Sequence, residues 1–92
     1  MAAELKRAEV TVRGMVQGVF FRVETRDRAR SLGLSGWVTN ARDGTVRAAF
    51  EGDEERVRSM VDWCGRGPSG ARVEAVDVEW TEAEGEQGFS IR

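Results

Sequence analysis

Nine consecutive residues, Gly14-Met15-Val16-Gln17-Gly18-Val19-Phe20-Phe21-Arg22, carry the types and spacing from which an anion site can be built. They stand where a strand pattern gives way to a helical one, with Ala8, Val10 and Val12 to one side of the strand and Glu9, Thr11 and Arg13 to the other. A glycine at each end of such a loop lets the backbone turn tightly and approach a ligand closely. It also leaves a run of N–H donors at the start of a helix, where the dipole already favours negative charge. Arg22 falls in the first helical turn, and its planar fork suits two oxygens of one phosphate or carboxylate. For an isolated G-x-x-x-G the plain reading, a strand-to-helix turn with a solvated arginine, is the stronger one; the nine residues as a unit are harder to read that way. Neither nucleotide fingerprint is present: there is no G-x-G-x-x-G, and no lysine followed by serine or threonine after Gly18.

Composition narrows the chemistry. The chain has no histidine, which excludes a Ser-His or Cys-His pair, a phosphohistidine and an imidazole base or zinc ligand. Its one cysteine, Cys64, excludes an internal disulfide and a thiolate metal site. Any reaction must therefore run without a strong protein base. A length of 92 residues predicts one domain, 1–92, with a single modest core. At 40% hydrophobic and 33% charged it reads as a soluble globular chain. A formal charge of −2 argues against a general nucleic-acid binder. All but one of the fourteen basic residues are arginine, so local basic pockets stay open. The stretch from Met1 to Arg7 has no apolar leader region, and no segment approaches a membrane span. The expectation is a cytoplasmic protein without a membrane partner.

The elements that must hold the loop follow from periodicity. Residues 7–13 read as a first strand and 22–33 as a first helix, with Phe21, Thr25, Ala29 and Leu32 at helical spacing and Gly33 as its stop. Ser35 to Ala41 form a second strand, Asp43-Gly44 a hairpin turn, and Thr45 to Glu51 a third strand. Asp53 is a natural N-cap for a second helix carrying Val57, Met60, Val61 and Cys64 at i, i+3, i+4 and i+7. A fourth strand spans about Ala71 to Thr81, with a bulge between Val73 and Val76. Phe89 and Ile91 mark a short last strand. The order predicts a ferredoxin-like α/β sandwich of the α+β class: βαββαβ plus a short C-terminal strand, an antiparallel sheet with two helices on one face.

Asn40 ends the second strand, just before the hairpin turn. It could be an Asx-type turn residue. A right-handed crossover is also expected to return this strand alongside the first, so the amide could offer a donor and an acceptor near the Gly14–Arg22 loop. Together the two segments resemble acylphosphatase. The first match is Gly14-x-Val16-Gln17-Gly18-Val19-x-Phe21-Arg22, and the second Gly36-Trp37-Val38-x-Asn40-x-x-x-Gly44-x-Val46 followed by Gly52. Trp63-Cys64, Gly67-Pro68 and Ala71-x-Val73 are similar to the family too, and the likeness runs from the first strand to Arg92. Thr39 departs from it, since the family more often has a basic or other long side chain there.

The resemblance implies hydrolysis of a small acyl phosphate to a carboxylate and inorganic phosphate, without a cofactor or metal. It implies that the amides of Met15, Val16, Gln17, Gly18, Val19, Phe20 and Phe21 cradle the phosphate with Arg22, and that Asn40 orients the attacking water. Inorganic phosphate would be product and inhibitor. Separately, nothing in the sequence demands a partner chain, so a monomer is the expectation. A carboxylate leaves without a protein acid, so catalysis is mainly positioning and charge stabilisation. That suits a chain without histidine.

Three rivals fare worse. A cysteine phosphatase needs C-x-x-x-x-x-R, but position 70 is glycine, and Cys64 continues an apolar stripe. An RNA reader needs exposed aromatics on the central strands, where the outward residues are Glu9, Thr11, Arg13, Thr45, Arg47, Ala49 and Glu51. A divalent-metal site on the acidic clusters Asp53–Glu55 and Glu82–Glu86 gives way to local readings, a helix start and a solvated turn, and the three tryptophans read as core or core-edge. The remaining alternative is a catalytically idle interaction module of the same fold, which has no reason to keep both Arg22 and Asn40.

Overall fold

In the computed structural model, which describes residues 5–92, Ala8, Val10 and Val12 all point into the core. The first four residues of the stretch read for a leader lie outside the described residues. The alternating strand is β1 (Leu5–Met15), and it is followed by α1 (Phe21–Ser31), β2 (Ser35–Asn40) and β3 (Val46–Asp53). Then come α2 (Glu54–Arg66), β4 (Arg72–Glu82) and β5 (Phe89–Ile91). Both helices pack on one face of a five-stranded sheet ordered β4-β1-β3-β2-β5. This is the ferredoxin-like arrangement.

The helices show their causes in the sequence. Asp53 caps α2, its Oδ1 accepting the Arg56 N–H at 3.2 Å, with Glu54 and Glu55 in the first turn. Val57, Met60, Trp63 and Cys64 bury one face of α2, and Phe21, Thr25 and Ala29 one face of α1. The Phe21 ring meets Trp63 with centroids 5.4 Å apart, which locks the start of α1 onto α2.

Two expectations of topology need correction. β2 does not lie alongside β1, because β3 sits between them and pairs antiparallel with both. The sheet is mixed, since β5 runs parallel to β2. A chain that leaves β4 and crosses the same end of the sheet must re-enter antiparallel to β4, and that direction is parallel to β2. The predicted bulge is present: the β1–β4 register shifts between Arg13, opposite Ala75, and Gly14, opposite Val73.

The helix-free face is less open than alternation suggests. Thr45, Ala49 and Glu51 are buried there, and Arg7 with them. Arg7 and Glu51 stand opposite each other in the β1–β3 register and bond at 2.6 Å, their side chains only 4% and 3% exposed. Glu9 and Glu86 add further ion pairs to Arg7, each at 3.1 Å. The segment from Glu84 to Glu86, expected as a solvated turn, folds over this pair and donates three backbone N–H groups to the Glu51 carboxylate at 2.7–3.1 Å. Trp63 is core and Trp37 half-buried beneath Arg92, but Trp80 is 41% exposed under the Arg58 guanidinium. β4 is an edge strand, and a single helix does not cover its outer side.

Burial alone would raise the Glu51 pKa; the Glu84 N–H, the Arg7 guanidinium and the N–H groups of Glu86 and Gly85 outweigh it and hold it below the ordinary carboxylate value. A depressed folded pKa contributes stability above the unfolded value of about 4.3 and loses it as pH falls through the folded one. Glu51→Gln should therefore lower the urea unfolding free energy at pH 7 by about 2–3 kcal/mol. That is less than the roughly 3–5 kcal/mol of a fully orphaned buried charge, because Glu9 and Glu86 still hold Arg7. The gap between wild type and variant should narrow progressively as pH falls below about 4; a gap of constant size down to pH 3 would refute this account.

Candidate active site

The loop between β1 and α1 is shorter than the glycine spacing suggests. β1 continues through Gly14 to Met15, so only Val16 to Phe20 lie outside regular structure. Gly14 is needed at the bulge, with φ at 131° and a position where any Cβ would run into the Arg72 carbonyl. Val16 at one end of the loop and Phe21 at the other are fully buried, so the segment between them hangs from two core anchors.

The turn into the helix is made by an unexpected residue. Gly18 has φ at 76°, and Phe20 joins it in the left-handed region, at φ 61° and ψ 18°. A bulky residue there is strained, and the Phe20 side chain gains little in return, being 77% exposed. Phe20 is also the N-cap of α1 and offers no side-chain acceptor to its first turn. The consequence lies in the backbone. The N–H groups of Val16, Gln17, Gly18, Val19 and Phe20 find no acceptor among the described residues. Free amides at a helix N-terminus are what an oxyanion requires.

Around this loop lies a cavity of about 270 Å³, lined by Val16, Gly18, Phe20, Phe21, Arg22, Val23 and Asn40. Arg22, half-buried at the second position of α1, pairs with no carboxylate among the described residues. Asn40 reaches the cavity across β3: it stands opposite Val46, which stands opposite Val12 of β1. Its Oδ1 is buried and takes no hydrogen bond from the described residues. A buried acceptor left without a partner is uncommon and calls for a reason. Of the residues expected in the site, the structure thus gathers Val16, Gly18, Phe20, Phe21, Arg22 and Asn40 around one space. Met15, Gln17 and Val19 lie outside that lining, Met15 as the last residue of β1 opposite Arg72.

The Gln17 side chain is a feature that motif spacing did not disclose. Its Nε2 donates to the Ala41 carbonyl at 2.8 Å and the Thr45 carbonyl at 2.9 Å, joining the loop to the turn behind Asn40. Thr39 faces away from the cavity, its hydroxyl donating to the Arg92 carbonyl at 2.9 Å. Cys64 is buried, and burial pushes its thiol up to about 12, so it supplies no thiolate nucleophile.

The acylphosphatase family model matches residues 8–91. An acylphosphatase of Roseiflexus sp. (strain RS-1) is 55% identical over 89 residues, covering 96% of each chain. One from Pelotomaculum thermopropionicum is 55% identical over 86 residues, covering 92% of this chain and 94% of its own. The structure of an acylphosphatase from Coxiella burnetii superposes with a TM-score of 0.92 at 36% identity, over 97% of this chain and 94% of that one. With a matched family model over nearly the whole chain and relatives of this identity, the chain belongs to the acylphosphatase family.

Proposed function

We propose that the Val16–Phe20 amides and Arg22 hold the phosphoryl group of an acyl phosphate, and that Asn40 positions the water that attacks it. The activity, hydrolysis of an acyl phosphate to a carboxylate and inorganic phosphate, comes with the family. The observation that carries the residue roles is one cavity bordered by loop amides, a guanidinium and a buried amide oxygen that find no acceptor, carboxylate or donor, respectively, among the described residues.

In this scheme the loop N–H groups and the Arg22 fork face the phosphoryl oxygens, where charge gathers as the bond to the acyl oxygen loosens. The Asn40 Oδ1 accepts a hydrogen bond from a water O–H and aims its lone pair at phosphorus, opposite the leaving carboxylate. Phosphorus–oxygen bond formation then expels the carboxylate with its electron pair, and the water proton passes to a phosphate oxygen. No protein acid is needed because a carboxylate is a stable anion. The cavity lining has no carboxylate to ligate a divalent cation, and Arg22 already supplies positive charge. The exposed Phe20 ring and Val23 form an apolar rim over which the acyl part would leave.

The roles of Asn40 and Arg22 separate in kinetics. Asn40→Ala should cut kcat by about a hundredfold or more while the inhibition constant of inorganic phosphate stays nearly unchanged, as expected for a group that acts on water. Loss of phosphate inhibition in parallel with kcat would make Asn40 a binding residue instead.

Arg22→Lys should fold normally yet lose about a hundredfold in kcat/KM, close to Arg22→Ala. A lysine keeps the charge without the two parallel N–H groups, and one such preorganised contact is worth about 2.7–4 kcal/mol. Both variants should weaken phosphate binding as well. Near wild-type kcat/KM in Arg22→Lys would remove the residue from the site.

Hydrolysis should persist in excess EDTA. Activity that vanishes with the chelator and returns with Mg²⁺ would require a cation the proposed mechanism does not use.

A further inference from the structure

We infer that the Gln17 side chain is a positioning residue, fixing the phosphate loop against the turn that carries Asn40. The role presupposes the phosphate site proposed at the loop and adds to it a means of registering its two halves.

The receptor for Gln17 is preformed by the turn itself. The Asp43 Oδ1 accepts both the Thr45 N–H at 3.0 Å and the Thr45 hydroxyl at 2.7 Å. Those bonds keep the Asp43 carboxyl below its ordinary value. Within the same turn the Ala41 N–H donates to the Thr45 carbonyl at 2.8 Å, and the Gly44 N–H to the Ala41 carbonyl at 3.2 Å. The two carbonyls that receive Gln17, those of Ala41 and Thr45, are thereby held converging on one point. Two converging acceptors call for one atom with two hydrogens. An amide NH₂ supplies both, a carboxylate supplies none, and with two oxygens as partners the Gln17 amide has only one sensible orientation.

What this clamp joins is specific. Gln17 lies between buried Val16 and left-handed Gly18 in the loop of free amides, and Ala41 follows Asn40 directly. The two halves of the site come from β1 and β2, which share no ladder because β3 separates them. Gln17 bridges that gap from one side to the other. Its side chain is exposed, so water can replace either bond and their net worth to folding is small. Their worth to geometry is larger, since a loop displaced by a fraction of an ångström misaligns phosphorus and water.

Gln17→Glu and Gln17→Met test this, with urea unfolding, kcat and phosphate inhibition measured for each from about pH 5 to pH 7.5. Both variants should unfold near the wild-type urea midpoint. At pH 7.5 kcat should fall about tenfold or more while the phosphate inhibition constant shifts less than about threefold. The decisive readout is pH. In Gln17→Glu an ionised carboxylate would face two carbonyl oxygens, which repel it and raise its pKa, whereas the protonated acid can donate one hydrogen bond. The ratio of Gln17→Glu activity to wild type should therefore rise about tenfold from pH 7.5 to pH 5, and that of Gln17→Met should stay flat. Activities within about twofold of wild type, a flat ratio for Gln17→Glu, or losses fully explained by unfolding would each overturn the role. Asn40→Ala run alongside separates the two levels of failure. If Asn40→Ala is inactive while the Gln17 variants are normal, only the clamp is wrong; if Asn40→Ala is active, the proposed site itself falls.

Discussion

Five successive backbone N–H groups that no acceptor among the described residues takes, from Val16 to Phe20, set the terms for the rest of this structure. A loop cannot hold its shape with hydrogen bonds it must leave unmade, so other interactions have to hold it. Burial of Val16 and Phe21 pins both ends in the core, and Phe21 is pinned in turn by Trp63. The bulge at Gly14 turns the end of β1, Phe20 accepts a strained backbone, and Gln17 ties the middle to the Ala41–Thr45 turn. Each device restrains the backbone without touching its donors. The strain at Phe20 persists because the anchors on either side over-determine the path between them.

The opposite end of β1 shows what such a constellation does to an oxyanion. There Glu51 is the anion, three N–H groups from Glu84 to Glu86 are the cradle, and Arg7 is the arginine. Although the Glu51 carboxylate is buried, these donors keep it ionised and its pKa depressed. The same combination, a run of amides closed by one guanidinium, stands at the loop with its donors unspent. One is filled by the chain's own carboxylate and contributes to stability. The other has no carboxylate among the described residues to fill it, and a phosphoryl group bears the same kind of oxygen with more charge.

What was legible in the sequence had local causes. Asp53 caps α2, Asp43-Gly44 makes the hairpin, and the broken alternation at Val73 and Val76 marks a bulge, because neighbours a few residues apart decide each of these. The loop, Arg22 and Asn40 were marked by their types and spacing. What escaped depends on contacts distant in sequence. The Arg7–Glu51 pair spans 44 residues and its strap 33 or more, and an alternation rule can only place both partners on the helix-free face and count them as solvated. Phe20 in the left-handed region contradicts its own propensity. Gln17 offers a backbone N–H like its neighbours, and only the folded turn reveals that its side chain has two carbonyls to meet. The position of β2 escapes the sequence for a related reason: a crossover fixes handedness, and it does not fix how many strands are skipped.

The missing histidine then becomes part of the explanation. A site that must take or give protons needs a group that titrates near its working pH, and such a group makes the site's charge depend on that pH. The groups around this cavity are backbone amides, an amide side chain and a guanidinium, none of which changes charge under ordinary conditions. A phosphoryl group held there as proposed would meet a constant field, in place before the substrate arrives. That suits a reaction whose leaving group is already a stable anion and whose demand is for positioning and fixed charge. It also moves the acid sensitivity elsewhere. Protonating Glu51 at the far end of β1 removes its contribution to the fold and leaves the residues that line the cavity untouched.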